Sequence, residues 1–458
     1  MSVPKRSWVT PENVSLLVDL YELTMADSYL QHGLNQPATF SLFVRELPPN
    51  RHFLICAGLD SVLDYLENLR FTKESLDYLH SLTLFSDAFL AYLKNFRFSG
   101  EVRALAEGEI FFPPEPILEI SAPRIEAQII ETFLLNQINF QTMIASKAAR
   151  VVLTAQGRNV IDMSPRRAQG ADAALKAARS AYIAGCAGTS NVLAGQIYGI
   201  PVYGTMAHSY IMSFENELSA FRAFANDFPN NTVFLIDTYD TREGARHALQ
   251  VARELVAKKQ EVRAVRIDSG NLIQMSQQVR ALLDAEGFSK IKILLSGDLN
   301  ENKIELLLSK GAQVDSFGVG TELGTSYDAP ALGGVYKLVE DEQGYRMKLS
   351  TGKATLPGRK QAWRVFSDSG QMSYDLLALT DEAAPISGAA PLLQTVMKDG
   401  RRLESSESIL KMRERCAKAL EALPNELRRI SGDEVKDYAV HLSSQLQALQ
   451  VRPTEAKE

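Results

Sequence analysis

Six short segments carry polar residues directly after a β-branched run, and their residue types suit chemistry on an anion. SPRRAQG follows NVIDM, TMAHS follows IPVYG, and DTYDTREG follows TVFLI. RIDSGN follows VRAV, SGDLN follows IKILL, and GVGTELGTS follows VDSF. His208 is the one histidine of six inside such a segment. An imidazole suits nucleophilic or acid–base work near neutral pH, although a histidine satisfied by hydrogen bonding alone is the commoner case. Asp237, ending the next run, is placed to hold the opposite ring nitrogen. GVGT offers glycines that let the backbone approach an anion, with free N–H groups and a threonine hydroxyl able to hold a phosphate. DSG and SGD set carboxylates beside small residues, which suits Mg²⁺ or the hydroxyls of a ribose. A single Asp or Arg after a strand is as readily a helix cap or a loop salt bridge; six such segments in succession point to a binding site.

The elements that must position these residues follow from spacing. The apolar runs centre near residues 160, 202, 233, 263, 291, 314 and 335, with amphipathic stretches such as TREGARHALQVARELVAKK between them. Intervals of roughly 20 to 40 residues are those of strand–helix units in a β/α barrel, whose C-terminal rim carries the chemistry. An open doubly wound sheet would alternate in the same way. The expected fold is α/β: an irregular, TIM-like β/α barrel with an N-terminal α/β domain and a helical C-terminal region. Residues 1–120 are expected to form the first domain, 121–360 the barrel with the active site, and 361–458 a mostly helical region packing back on the first domain. Within the first domain, residues 16–30 read as a helix, 40–44 as a strand and 61–69 as a helix. The proline-rich stretch 111–123 reads as a connector or edge element, and 125–149 as a long helix.

Composition narrows the function classes. The 458 residues are 45% hydrophobic and 23% charged, an ordinary folded composition. Forty-nine Lys and Arg against 55 Asp and Glu give a net charge of -6, which argues against a nucleic-acid coat. Anionic ligands remain open, because local charge decides that question. Cys56, Cys186 and Cys416 have no metal-ligand or disulfide spacing, which fits a reducing compartment. No secretory signal or membrane span is legible. A cytoplasmic protein without nucleic-acid or membrane partners is expected.

DLYELTMADSYL, RRAQG, SNVLAGQ, GTMAHS, DTYDT, RIDSG and FGVGT, in this order, resemble the nicotinate phosphoribosyltransferase family. The resemblance spans residues 19–339, about 70% of the chain. GTMAHS with NVLAGQ is its most specific pair. It implies a type II phosphoribosyltransferase that joins nicotinate to 5-phosphoribosyl 1-pyrophosphate, giving nicotinate mononucleotide and pyrophosphate in NAD salvage. It further implies a homodimer with shared active sites, coupling to ATP through a phosphohistidine (a ligase by class), and Mg²⁺ or Mn²⁺.

Carried over motif by motif, the resemblance places the phosphohistidine at His208 and nicotinate contacts at Tyr21, Thr205 and Arg266. Gly318, Gly320 and Thr321 fall on phosphoribosyl contacts, and Asp268, Gly297 and Asp298 on ribose or metal contacts. Arg166 is the second cation near the ring or phosphate, with Arg167 beside it. Tyr21 matches an aromatic that reaches the site from the neighbouring subunit; without the family it reads as a core residue on a Tyr21, Met25, Tyr29 stripe. Amide-using relatives carry an aspartate where this chain has Ser190. A carboxylate there would face that of nicotinate, a juxtaposition that costs several kcal/mol, so serine favours the acid. One departure stands out: the usual DSGD run ends here in Asn271, which removes a charge from a metal or hydroxyl contact. The alternatives are a nicotinamide phosphoribosyltransferase, a quinolinate-using relative and a non-catalytic ligand-binding relative.

Overall fold

A computed structural model describes residues 8–348, 355–430 and 437–451. The chain divides into two compact units. One comprises residues 144–330 and 428–434; the other comprises the residues before and after them.

The unit spanning 144–330 is built on a six-stranded, wholly parallel sheet. Its order is Gly188–Thr189, Asn159–Asp162, Ser316–Val319, Lys292–Leu295, Ala264–Ile267 and Val233–Leu235. Beyond the first of these, Val202 adds a single parallel bridge to Thr189. Numbered by sequence, with Val202 as the third position, the order is 3-2-1-7-6-5-4. Every neighbouring pair is consecutive in sequence or joins the last strand to the first, with no switch point. Among the described residues no ladder joins the third position to the fourth. A side-chain bond from Asn231 Nδ2 to Gly204 O, 3.2 Å, is recorded between those two segments. A closed barrel was expected; the hydrogen bonding establishes a parallel sheet with helices between its strands.

Two of the seven runs fold differently from expectation. IPVYG contributes only the Val202 bridge, while Gly188–Thr189, too short to show a period, takes a full strand position. GGVYKLV becomes Gly334–Asp341 and pairs antiparallel with Pro37–Val44 in the other unit. Its Tyr336 is buried, stacks on Phe40 at 5.0 Å and donates to Ala127 O at 2.9 Å.

The helices of the parallel unit follow from apolar spacing and caps. Thr241–Val256 buries Ala245, Ala248, Leu249, Ala252 and Leu255, an i, i+3/i+4 stripe. Asp240 caps it, accepting from Arg242 N and Glu243 N at 3.0 and 2.9 Å. Asn191, Asn271 and Asn300 cap the Val192–Tyr198, Leu272–Ala285 and Glu301–Ser309 helices.

The other unit carries a seven-stranded antiparallel sheet with Pro116–Pro123 at its centre, between Pro37–Val44 and Glu101–Leu105. Of the stretch 111–123, expected to be a connector or edge element, residues 112–115 form a connecting turn, whereas Pro116–Pro123 is an interior strand. Its prolines lie at the two ends, and the residues between retain the N–H groups a ladder needs. The C-terminal region is not mostly helical. Lys360–Phe366 and Met372–Leu379 pair antiparallel, and Leu393–Lys398 joins the large sheet beside Glu101–Leu105. Among the described residues of this region, the helices are Ile409–Ala422, Asn425–Arg428 and Ser444–Val451. Strand residues such as Ala362, Val365, Leu377 and Leu379 are buried, a packing-driven outcome that propensity does not disclose.

Candidate functional site

The C-terminal ends of the parallel strands bring three of the candidate residues, Arg266, Asp268 and Asp237, into one hydrogen-bonded array. Ala264–Ile267 delivers Arg266 and, one residue beyond, Asp268. Arg266 Nη2 meets Asp268 Oδ1 at 2.7 Å, and Arg266 Nε donates to Ser296 Oγ at 2.8 Å. Ser296 Oγ in turn donates to Asp268 Oδ1 at 2.5 Å. Burial works to raise the Asp268 carboxyl, but the Ser296 hydroxyl and Arg266, with a smaller contribution from His208, hold it below the usual range. Asp237 Oδ2 accepts from Asp268 N at 2.9 Å and Ser269 Oγ at 2.6 Å, stapling two rim segments together.

His208 opens the short His208–Met212 helix, and its Nδ1 lies 3.1 Å from Thr238 Oγ1. The partner of the ring nitrogen is therefore Thr238 rather than Asp237, whose carboxylate is turned to the 268–269 backbone and hydroxyl. Among the described residues, Nε2 of His208 has no hydrogen-bond partner. Thr205 is half-buried, with its hydroxyl on Met206 O at 3.1 Å.

Gly297 takes φ +98°, and a Cβ there would stand 2.1 Å from Asp268 O. Only glycine lets the 297 backbone pass so close to the acidic strand end. Asp298 follows at φ +47° with an exposed side chain. At Gly318 a Cβ would meet Met163 Sδ at 2.5 Å and Ser296 Cβ at 3.3 Å, so this strand end packs directly against the Ser296 array. Gly320 and Thr321 form the start of the Thr321–Gly324 turn of helix, both half-buried.

A second array lies at the end of Asn159–Asp162. Asp162, fully buried, accepts from Ser164 N at 2.9 Å and Thr189 Oγ1 at 2.7 Å, and its carbonyl accepts Ser190 N at 2.8 Å. Arg166 and Arg167 are exposed on the loop that follows, and neither has an ion-pair partner among the described residues.

Tyr21 belongs to the other unit, on the Leu20–Gln31 helix. It is 47% exposed, not the core residue that the Tyr21, Met25, Tyr29 stripe suggests. Burial of the phenol, together with Glu131 and Glu22, pushes its pKa up.

Thr238, Ser296 and Asp162 went unassigned in the sequence. Ser296 and Thr238 stand inside the SGD and DTYDT motifs, and their position directly after a strand is the signal that could have found them. Asp162 was hidden inside the run NVIDM, as the last residue of its strand.

Among the described residues, no three His, Cys, Asp or Glu side chains gather to hold a metal ion. Mg²⁺, however, usually binds through one or two carboxylates together with substrate phosphates and water. Asp237 Oδ1 is buried without a hydrogen-bond partner, and Asp268 uses only Oδ1 in its recorded bonds, so the donor set fits that mode. Asn271 does not belong to it: its Oδ1 accepts Gln274 N at 3.2 Å and caps a helix. Among the described residues no helix is long and apolar enough to cross a membrane.

Comparison with known proteins identifies the chain's relatives. The nicotinate phosphoribosyltransferase family description matches residues 159–339, its N-terminal domain 16–139 and its C-terminal domain 387–450. A nicotinate phosphoribosyltransferase of Mycobacterium tuberculosis is 45% identical over 94% of this chain and 92% of its own. One of Bacillus subtilis is 42% identical over 81% of this chain and 77% of its own. The crystal structure of human nicotinic acid phosphoribosyltransferase superposes with a TM-score of 0.84 at 30% identity, covering 94% of this chain and 99% of that one.

Proposed function

The chain belongs to the nicotinate phosphoribosyltransferase family, and we propose from that premise how its rim residues carry out the transfer. The reaction joins nicotinate to 5-phosphoribosyl 1-pyrophosphate. The ring nitrogen of nicotinate forms a bond to ribose C1, the C1–O bond to pyrophosphate breaks, and nicotinate mononucleotide and pyrophosphate leave. The observation that carries the residue roles is the Arg266–Ser296–Asp268 array across two neighbouring strand ends, packed against Gly318.

Arg266 is fixed by two bonds to its own chain and keeps further N–H groups for the carboxylate of nicotinate, with Arg166 as the second cation. Ser190 and Thr205 offer hydroxyls to the same ligand, and Ser190 in place of a carboxylate favours the acid over the amide. Positive charge develops at C1 as pyrophosphate departs. Asp268, held ionised by Ser296 and Arg266, faces that charge without needing to reorganise. The backbone at Gly318, Gly320 and Thr321 receives the 5-phosphate, while Gly297 and Asp298 flank the ribose. Mg²⁺ or Mn²⁺, held by Asp268 with Asp237 or Asp298, would neutralise pyrophosphate charge.

His208 is the phosphoryl acceptor from ATP. Thr238 occupies Nδ1, leaving Nε2 to attack the γ-phosphorus as ADP departs. The glycosyl step needs no ATP, so the phosphohistidine acts by charging the site, tightening substrate binding and driving product release. We further read the 3-2-1-7-6-5-4 strand order as a barrel that closes between Val202 and Val233. Two copies assemble so that the exposed Tyr21 of each completes the other's site. The three thiols outside any disulfide suit a cytoplasmic setting.

The test is product detection with nicotinate and nicotinamide side by side, with and without ATP, in wild type and His208→Ala. The expected result is nicotinate mononucleotide, stimulated by ATP with acid-labile phosphate on the protein. The variant should keep weak ATP-independent transfer. Full ATP coupling in His208→Ala would overturn the phosphohistidine, and faster use of nicotinamide would overturn the role given to Ser190.

A further inference from the structure

We infer that Asp162 is a positioning residue that ties the Arg166 loop to the Ser190 loop and thereby sets the preference for an acid over an amide substrate. The inference rests on the functional reading above and deepens it at a residue that touches no substrate.

Asp162 is fully buried and has no cationic partner among the described residues. A buried carboxylate without a counter-charge is unfavourable unless hydrogen bonds replace its water. Those bonds run to both loops. Ser164 N donates to Oδ1 at 2.9 Å, and Ser164 O is the acceptor on which the following turn closes, from Arg167 N at 2.8 Å and Ala168 N at 3.1 Å. On the other side Thr189 Oγ1 donates to Oδ2 at 2.7 Å while accepting Asn191 N at 3.0 Å. The Asp162 carbonyl accepts Ser190 N at 2.8 Å. One residue therefore anchors the turn carrying Arg166 and the backbone on both sides of the Ser190 hydroxyl.

The donor pattern explains why the residue is an acid. Ser164 N–H can only donate, and Thr189 spends a lone pair on Asn191 N–H and turns its proton to Asp162. Both positions facing the side chain donate as they stand, and a carboxylate, accepting at both oxygens, satisfies them without the Thr189 hydroxyl having to turn its proton away. An amide would place an NH₂ against one of the two. Burial raises the Asp162 carboxyl, and the Ser164 and Thr189 bonds work to lower it.

Loosening the tie displaces a cation and a hydroxyl that must converge on a carboxylate. Misplacement by about 1 Å can cost up to ~10²-fold. Neutral nicotinamide draws less on the cation and loses less, so the measured quantity is the ratio of kcat/KM for nicotinate to that for nicotinamide.

The experiment compares wild type with Asp162→Asn, Thr189→Val and Thr189→Ser, following kinetics, Tm and amide hydrogen exchange. In the first two variants the acid-to-amide ratio should fall about tenfold or more through the KM for nicotinate, with the KM for phosphoribosyl pyrophosphate changed less than about twofold. Thr189→Ser, which keeps the hydroxyl, should retain the wild-type ratio. Exchange in peptides covering 163–168 and 189–192 should rise together in Asp162→Asn. An unchanged ratio, or equal losses with both substrates alongside a fallen Tm, would overturn the inference and leave Asp162 a structural residue. A wild type that turns over neither acid nor amide would instead sink the functional reading, and unlinked exchange of the two loops would sink the tie itself.

Discussion

Replacing Ser296 by alanine removes the one hydroxyl that joins Arg266 to Asp268. Ser296 is 1% exposed, and its oxygen accepts from Arg266 Nε at 2.8 Å while donating to Asp268 Oδ1 at 2.5 Å. Both partners are charged, and such bonds contribute about 1.5–3 kcal/mol each. The direct Arg266–Asp268 contact at 2.7 Å survives the change. Water can also reach both groups, whose side chains are 16% and 29% exposed. One bond's worth, about 2 kcal/mol, is therefore the expected loss, or roughly 30-fold. It should fall on the KM for nicotinate, because the guanidinium loses the contact that fixes its plane. The acid limb of the pH profile should move too. The Ser296 bond is the largest of the effects lowering the Asp268 carboxyl, so without it Asp268 protonates at higher pH and the limb shifts upward. Steady-state kinetics at saturating phosphoribosyl pyrophosphate, carried from about pH 9 down to about pH 3 so that the scan crosses the carboxylate range, measures both effects. A KM within about twofold of wild type and an unmoved acid limb would refute the view that Ser296 organises the pair.

Two further outcomes test the backbone and the electrostatics. Gly297→Ala should lower kcat/KM at least about tenfold in a protein that still folds, because left-handed backbone costs a non-glycine residue about 1–2 kcal/mol and the new Cβ would stand 2.1 Å from Asp268 O; wild-type kinetics with an unchanged circular dichroism spectrum would count against it. Glu22 is buried, its Oε1 accepts from Thr132 N at 3.1 Å and Thr132 Oγ1 at 2.5 Å, and its Oε2 has no partner. Burial, with smaller contributions from Glu131 and Asp19, lifts its carboxyl from 4.5 to about 7. The folded state therefore binds the extra proton between those values, and stability falls as pH rises through that window. Glu22→Gln keeps the accepting oxygen and removes the charge, so it should stabilise by about 1–3 kcal/mol at pH 8 and by little at pH 5. Equal Tm changes at the two pH values would contradict this.

The strand ends were legible in the sequence because a β-branched run and the polar residues after it are contiguous. NVIDM, TVFLI, VRAV, IKILL and VDSF all take places in the parallel sheet. Contacts between distant segments were not legible. GGVYKLV has the composition of another sheet strand, but its partner Pro37–Val44 lies about 300 residues earlier, and no local period discloses that pairing. Gly188–Thr189 is two residues long and has no period at all. Lys360–Phe366 and Met372–Leu379 carry charged and polar residues, Arg364 and Asp375 among them, that read as solvated. In the folded chain these two are buried against each other, with bonds at 2.6 and 3.0 Å. His208 was legible as a site residue, whereas its partner was not. Asp237 and Thr238 are adjacent, and the carboxylate of Asp237 is engaged by Asp268 N and Ser269 Oγ while Thr238 Oγ1 meets the ring.

The same distinction separates capping residues from residues left for chemistry. In three segments the acidic residue nearest the strand is followed two or three positions later by a separate cap: Asp237 by Asp240, Asp268 by Asn271, and Asp298 by Asn300. At the Asn191 cap, Ser190 is the residue directly before it. A helix N-terminus presents unpaired N–H groups, and a residue that satisfies them is no longer available to a ligand. Because the second residue of each pair closes the helix, the first keeps its polar group for the rim. This changes what the substitution in DSGN means. Asparagine and aspartate cap about equally well, and the side-chain oxygen of Asn271 is already committed to Gln274 N. The missing charge is therefore lost from a helix end, where it contributes about 0.3–1 kcal/mol through the dipole, and not from the carboxylates beside Arg266. A departure that reads in sequence as a weakened metal or ribose contact leaves Asp237, Asp268 and Asp298 as they were.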